Sequence, residues 1–135
     1  MDGEQRDLSK TLNYKGMMFS DVPNLSSTFG YTNASWTLKA DLTSLYVCRL
    51  LNTMRRRGVR QATPRVDPAT ITPEPLLTFS SGYVQRAAGR LPSQGSRKPW
   101  KLNQNYALDL LALRFGSVDA DMEFSNPVPD SRKAA

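Results

Sequence analysis

Apolar residues are spread unevenly along the chain, and their spacing changes twice. Asp2 to Tyr14 is polar and short of apolar positions, as in a frayed end or an edge hairpin. Gly16-Met17-Met18-Phe19 reads as a short apolar strand. Asp21-Val22-Pro23-Asn24 is a turn, because proline presets φ and asparagine tolerates turn geometry. Leu25 to Phe29 reads as a second strand, closed by Gly30. The period then becomes helical. Leu38, Leu42, Leu45, Val47, Leu50, Leu51 and Met54 recur at helix spacings, and no Gly or Pro interrupts Ala34 to Arg57. Thr32, Asn33 and Ser35 are all good N-cap residues, and Gly58 is a natural stop. The spacing predicts a helix of about 24 residues, roughly 36 Å long.

Beyond Gly58 the pattern breaks up. Pro64, Pro68, Pro73 and Pro75 push the residues before them away from helix, so 60–79 reads as a Pro-rich extended linker. Ser80 or Ser81 caps a short helix through Tyr83, Val84, Ala87 and Ala88, weakened by Gly89. Asn103 or Asn105 opens another through Leu110, Leu111 and Arg114, stopped by Gly116. The expected division is 1–59, strands plus the long helix 34–57; 60–79, linker; 80–124, a helical extension; and 125–135, a disordered tail. Two short strands do not make a stable sheet by themselves. The expectation is an α/β fragment, the last part of something larger.

Composition narrows the chemistry. Of 135 residues 39% are apolar, and nine Pro and eight Gly leave room for only a modest core. The net charge of +6 is concentrated: Arg49 to Lys101 holds eleven Lys/Arg against two acids, Asp67 and Glu74. Arg55, Arg56 and Arg57 suit the negative end of the long helix. Arg86, Arg90, Arg97, Lys98 and Lys101 surround Tyr83, Trp100 and Tyr106, a mixture that can track a backbone and stack bases. No recognised reader motif accompanies them, so nucleic acid is not an expected partner. Trp100 and Tyr106 read better as packing anchors.

The sequence contains no histidine, which removes Ser-His-Asp and Cys-His catalysis and imidazole-based zinc sites. The single cysteine, Cys48, cannot form an internal disulfide, suits a cytoplasmic setting, and reads as a buried helix residue. No apolar run is long enough for a membrane span, and the first residues do not resemble a signal peptide. No two glycines stand one residue apart, so there is no G-x-G-x-x-G turn, and no Walker A motif occurs. Asp119, Asp121 and Glu123 lack the further oxygen ligands and turn glycine of a metal loop.

One place offers binding chemistry: Phe29-Gly30-Tyr31-Thr32-Asn33-Ala34-Ser35-Trp36, where a glycine turn meets a helix N-terminus. Such a terminus carries free N–H groups and partial positive charge. Gly16-Met17-Met18-Phe19, Val22-Pro23-Asn24-Leu25 and Gly30 to Lys39 resemble the C-terminal part of flavin-containing monooxygenases. The closest type is the Baeyer–Villiger, ethionamide-activating-like group. The likeness continues through Tyr46 to Asn52, Ser81 to Arg86, Leu91-Pro92, Pro99-Trp100-Lys101, Gln104-Asn105-Tyr106 and Leu113 to Gly116, and ends near Met122-Glu123-Phe124.

The resemblance implies a piece of the two-dinucleotide-binding-domain flavoprotein fold, with FAD and NADPH as cofactors of the complete enzyme. It implies oxygenation of ketones or of sulfur or nitrogen compounds with O₂. It places Gly30, Thr32, Asn33, Ala34, Ser35 and Trp36 beside the isoalloxazine ring, and carries over no catalytic residue. Both nucleotide fingerprints of that family lie upstream of the matched region. The chain is therefore expected to be inactive alone and to bind neither cofactor stably. Its expected partner is the missing N-terminal flavoprotein portion, met through exposed apolar surface. A truncated, non-catalytic remnant is the alternative, and a basic nucleic-acid or protein-binding module is a more distant one. Ser26-Ser27-Thr28, Leu45, Gly89 and Asn103 depart from the family pattern.

Overall fold

Helix α1 (Trp36–Arg57) organises the chain. Of the three candidate caps it is Ser35 that serves, its side chain accepting the Thr37 N–H at 3.3 Å. At the other end Gly58 takes φ 66°, and the N–H groups of Gly58 and Val59 close on the Arg55 and Met54 carbonyls. A computed structural model describes residues 5–32, 34–76 and 90–127.

The face that α1 buries is Lys39, Leu42, Thr43, Tyr46, Leu50, Thr53 and Met54. It is narrower than the apolar pattern suggests. Leu45 and Leu51 fall on the far side and are 36% and 56% exposed. Cys48 lies between them and is also exposed, which corrects its reading as a buried residue. Helical geometry explains this: residues three and four apart share a face, and Cys48 stands opposite the Tyr46–Leu50 stripe.

Beneath α1 lies a hairpin of β1 (Asn13–Tyr14) and β2 (Met18–Phe19), with Tyr14 opposite Met18. Lys15 and Gly16 turn it with φ 54° and 74°, the positive values a tight hairpin turn demands. A Cβ at Gly16 would also sit tightly, 3.0 Å from the ammonium end of Lys39.

Leu25 to Phe29 is not a strand. Its Ser27 and Phe29 N–H groups bond the Met17 and Gly16 carbonyls, so it leans on the hairpin turn, where no ladder continues. Conversely, the Pro-rich stretch read as linker carries β3 (Gln61–Pro64) and β4 (Pro73–Pro75). β4 pairs antiparallel with β5 (Ser93–Gly95). Helix α2 (Tyr106–Phe115) follows, capped by Asn105, whose side chain accepts the Leu108 N–H at 3.1 Å. β6 (Met122–Ser125) then pairs antiparallel with β3, Gln61 opposite Ser125, so the end of the expected helical extension is a strand. Asn24 joins that pair to the hairpin, its Oδ1 accepting the Ala62 N–H at 3.0 Å. The helix expected near 80–88 lies outside the described residues.

The core is Tyr14, Met17, Met18, Leu42, Tyr46, Leu50, Ala62, Trp100 and Leu113. Trp100 is fully buried, stacked edge-on to Tyr14 with ring centroids 5.2 Å apart. Its indole N–H donates to Asp121 at 2.6 Å. Tyr106, by contrast, is 39% exposed. Among the described residues the architecture is α/β: two helices and three two-stranded antiparallel sheets.

Candidate functional site: the turn into α1

The turn that leads into α1 is held by a buried ion pair behind it. Lys39, in the second turn of α1, points inward with its side chain 4% exposed. Its ammonium lies 2.7 Å from Asp109 of α2, itself 8% exposed. Asp109 accepts two more hydrogen bonds, from the Tyr31 hydroxyl at 2.8 Å and from Asn103 Nδ2 at 2.8 Å. Lys39 also reaches the Lys15 carbonyl at 3.4 Å. A buried pair survives when its remaining lone pairs and protons are satisfied, and here Tyr31, Asn103 and the Lys15 carbonyl satisfy them. Burial, and then the Asp109 carboxylate, push the Tyr31 phenol well above its usual range. Tyr31 therefore stays a neutral donor and fixes the start of the turn between the two helices.

The six residues assigned to the flavin edge fall into different surroundings. Gly30 is buried, and a Cβ there would lie 2.2 Å from the Trp36 ring. The close approach that glycine permits is used by the chain's own indole. Trp36 lies over Gly30 and near Phe29, ring centroids 6.4 Å apart, yet remains 59% exposed. Thr32 gives both its N–H and its hydroxyl to Gln104 Oε1, at 3.2 and 3.1 Å. Ala34 and Ser35 are exposed, and Ser35 Oγ lies 2.7 Å from Thr37 Oγ1. Asn33 lies outside the described residues. For an isoalloxazine ring the fit is thus partial. The exposed first turn of α1, with Ser35 and Trp36, presents N–H groups that no carbonyl of the helix can take. Gly30 and Thr32 are already engaged inside the chain.

Lys39 and Asp109 are the residues that sequence reasoning missed. The available signal was a lysine on the apolar face of a helix and an aspartate one turn into another, but their separation of 70 residues hides the pairing. Asn103, a departure from the family pattern, is one of the donors that satisfy Asp109.

Other candidates are absorbed structurally. Arg97 pairs with Asp121 at 3.1 Å, Lys101 pairs with Glu74 at 3.2 Å and Trp100 is buried, while Tyr83 and Arg86 of this basic-aromatic set lie outside the described residues. Asp119 pairs with Arg57 at 2.7 Å and Glu123 with Arg65 at 3.0 Å. Among the described residues no group of three or more His, Cys, Asp or Glu could hold a metal ion. No described helix is long and apolar enough to cross a membrane.

No family model matches the chain, and no solved structure does. Individual proteins do match. The chain is 50% identical over 119 residues, 88% of its length, to the FAD-containing monooxygenase EthA of Mycobacterium tuberculosis. Its identity to the EthA of Mycolicibacterium smegmatis is 48% over 120 residues, 89% of the chain. To the "Probable FAD-binding monooxygenase AlmA" of Acinetobacter baylyi it is 42% over 120 residues. In each case the match spans 24% of the relative, so the chain covers about a quarter of the length of the curated proteins it matches. Over nearly its whole length, then, the chain is homologous to a segment of the FAD-containing monooxygenases.

Proposed function

We propose that the chain is the C-terminal part of a cytoplasmic flavin-dependent monooxygenase that, when complete, uses NADPH and O₂ to oxygenate ketones or sulfur or nitrogen compounds. The observation that carries this reading is the 50% identity over 119 residues to a named FAD-containing monooxygenase. The flavin supplies the oxygen chemistry when bound. The chain's own task is to complete the ring's surroundings. Ser35 and Trp36 present the electropositive end of α1 to the electron-rich edge of the ring, and Tyr31, Lys39 and Asp109 fix the turn that carries them. The chain holds no glycine-rich nucleotide turn, so neither FAD nor NADPH binds stably to it alone. The partner in this reading is the flavoprotein portion that makes up the rest of the complete enzyme.

The test is FAD binding followed by absorbance and flavin fluorescence, with the chain alone and with the upstream three-quarters of a relative added as a separate chain. Binding only in the mixture, with NADPH oxidation appearing there, supports the reading. Stoichiometric FAD binding by the chain alone refutes the shared-site account. No binding in either arm favours a non-catalytic remnant.

A further inference from the structure

Beside Asp109 lies a cavity of about 280 Å³ between the hairpin turn, the 98–103 loop, α2 and the 116–120 loop. Its walls are mostly apolar, from Pro99, Leu102, Ala112 and Leu113. Its polar side chains are three lysines, one carboxylate, Asn103 and Ser117. Lys15, Lys98 and Lys101 line it, and Asp109 is the one carboxylate among its lining residues. Asp109 is already neutralised by Lys39, and Lys101 is paired with Glu74. The two other lysines have no carboxylate within ion-pair distance among the described residues. The Lys15 ammonium donates to the Ser117 carbonyl at 2.8 Å and lies 4.6 Å from the centre of the Tyr46 ring. Behind it the Arg49 guanidinium is fixed on the Gly116 carbonyl at 2.8 Å, which adds a further positive charge to the same wall. Desolvation, and secondarily Arg49, bring the Lys15 amine down to about 8. That is the signature of a cation held partly out of water without a counter-charge.

We propose that this cavity binds a small amphipathic monoanion, its carboxylate or sulfonate head on Lys15 and Lys98 and its apolar body against Pro99, Leu102 and Leu113. The volume is just below the range of about 300–1,000 Å³ usual for ligand pockets, which fits a short acyl or aryl acid. Mainly apolar walls disfavour a phosphate dianion, whose desolvation two lysines do not repay. This site does not depend on the flavin reading, because every residue in it belongs to the described chain.

The experiment is an amide NMR titration of the full chain with octanoate, octanol and inorganic phosphate. Octanoate should shift Gly16, Leu102 and Gly116 saturably, with octanol and phosphate each about tenfold weaker, the worth of one charged hydrogen bond. Lys15→Met and Lys98→Met keep most of the aliphatic stem and should each weaken octanoate by about tenfold. If Lys15→Met disturbs the hairpin, seen as loss of dispersed amide shifts, Lys98→Met decides. Octanol binding as tightly as octanoate, equal binding of phosphate, or an unchanged octanoate affinity in Lys98→Met overturns the proposal.

Discussion

Asp109 shows how much one side chain can carry here. It accepts from Lys39, Tyr31 and Asn103, and all three donors come from different segments. Asp109→Asn leaves the Lys39 ammonium buried without a counter-charge, an expected loss of about 3–5 kcal/mol. Urea unfolding of this variant should therefore show a large drop in midpoint. The double variant Lys39→Met, Asp109→Leu should recover most of the loss, because a well-packed apolar pair removes both desolvation penalties.

Lys15 gives the opposite kind of signal. Its folded value, about 8, lies below its usual 10.5, so the unfolded chain binds the proton more tightly. Stability must then rise with pH from about 8 upward. The Tyr14, Tyr31 and Tyr46 phenols are pushed up by burial, so their contribution is lost once pH passes their usual 10.0. The melting temperature should climb between pH 8 and pH 10 and then fall. In Lys15→Met the climb should vanish and the fall remain.

At the scale of elements, the helices were legible and the strands mostly were not. Helix α1 declares itself by a 22-residue stretch without Gly or Pro between a serine cap and a glycine stop. That stop can be tested separately from packing. A Cβ at Gly58 would meet nothing within 4 Å, so Gly58→Ala isolates the backbone cost of φ 66°. The expected destabilisation is about 1 kcal/mol by thermal or chemical unfolding. Gly58→Asn should lose less, since asparagine tolerates the left-handed region better.

The strands are two to four residues long, too short to show an alternating period. Pro64, Pro73 and Pro75 also read as breakers, yet each sits at a strand end where the missing N–H is cheap. The same limits applied to the site. The Ser35 cap was readable locally. The Trp36 indole on Gly30 was not, because a glycine announces that something approaches without saying what. The Lys39–Asp109 pair was unreadable because its halves come together only in the tertiary fold.

Across the whole molecule, apolar surface is left uncovered in a pattern. On α2, Leu108, Leu111 and Phe115 form one stripe at helical spacing, 48%, 59% and 69% exposed. The opposite face of the same helix buries Asp109 and Leu113. A helix apolar on two sides is built to lie between two bodies. The chain by itself should therefore associate as its concentration rises, seen as a growing apparent mass in sedimentation. Leu111→Lys with Phe115→Lys should return it to a single species while leaving the helical circular dichroism unchanged. Both positions face away from Leu113 and the core.

The outward placement of Cys48 turns α1 into a molecular ruler. It is the chain's only thiol, it is accessible, and it stands thirteen residues beyond the Ser35 cap on one unbroken helix. That fixes a dye attached there about 20 Å along the axis from the first turn. A flavin seated at Ser35 and Trp36 in a reassembled enzyme should pass its excitation to that dye with the efficiency of a separation of about 20 Å, and a distinctly longer measured distance places it elsewhere.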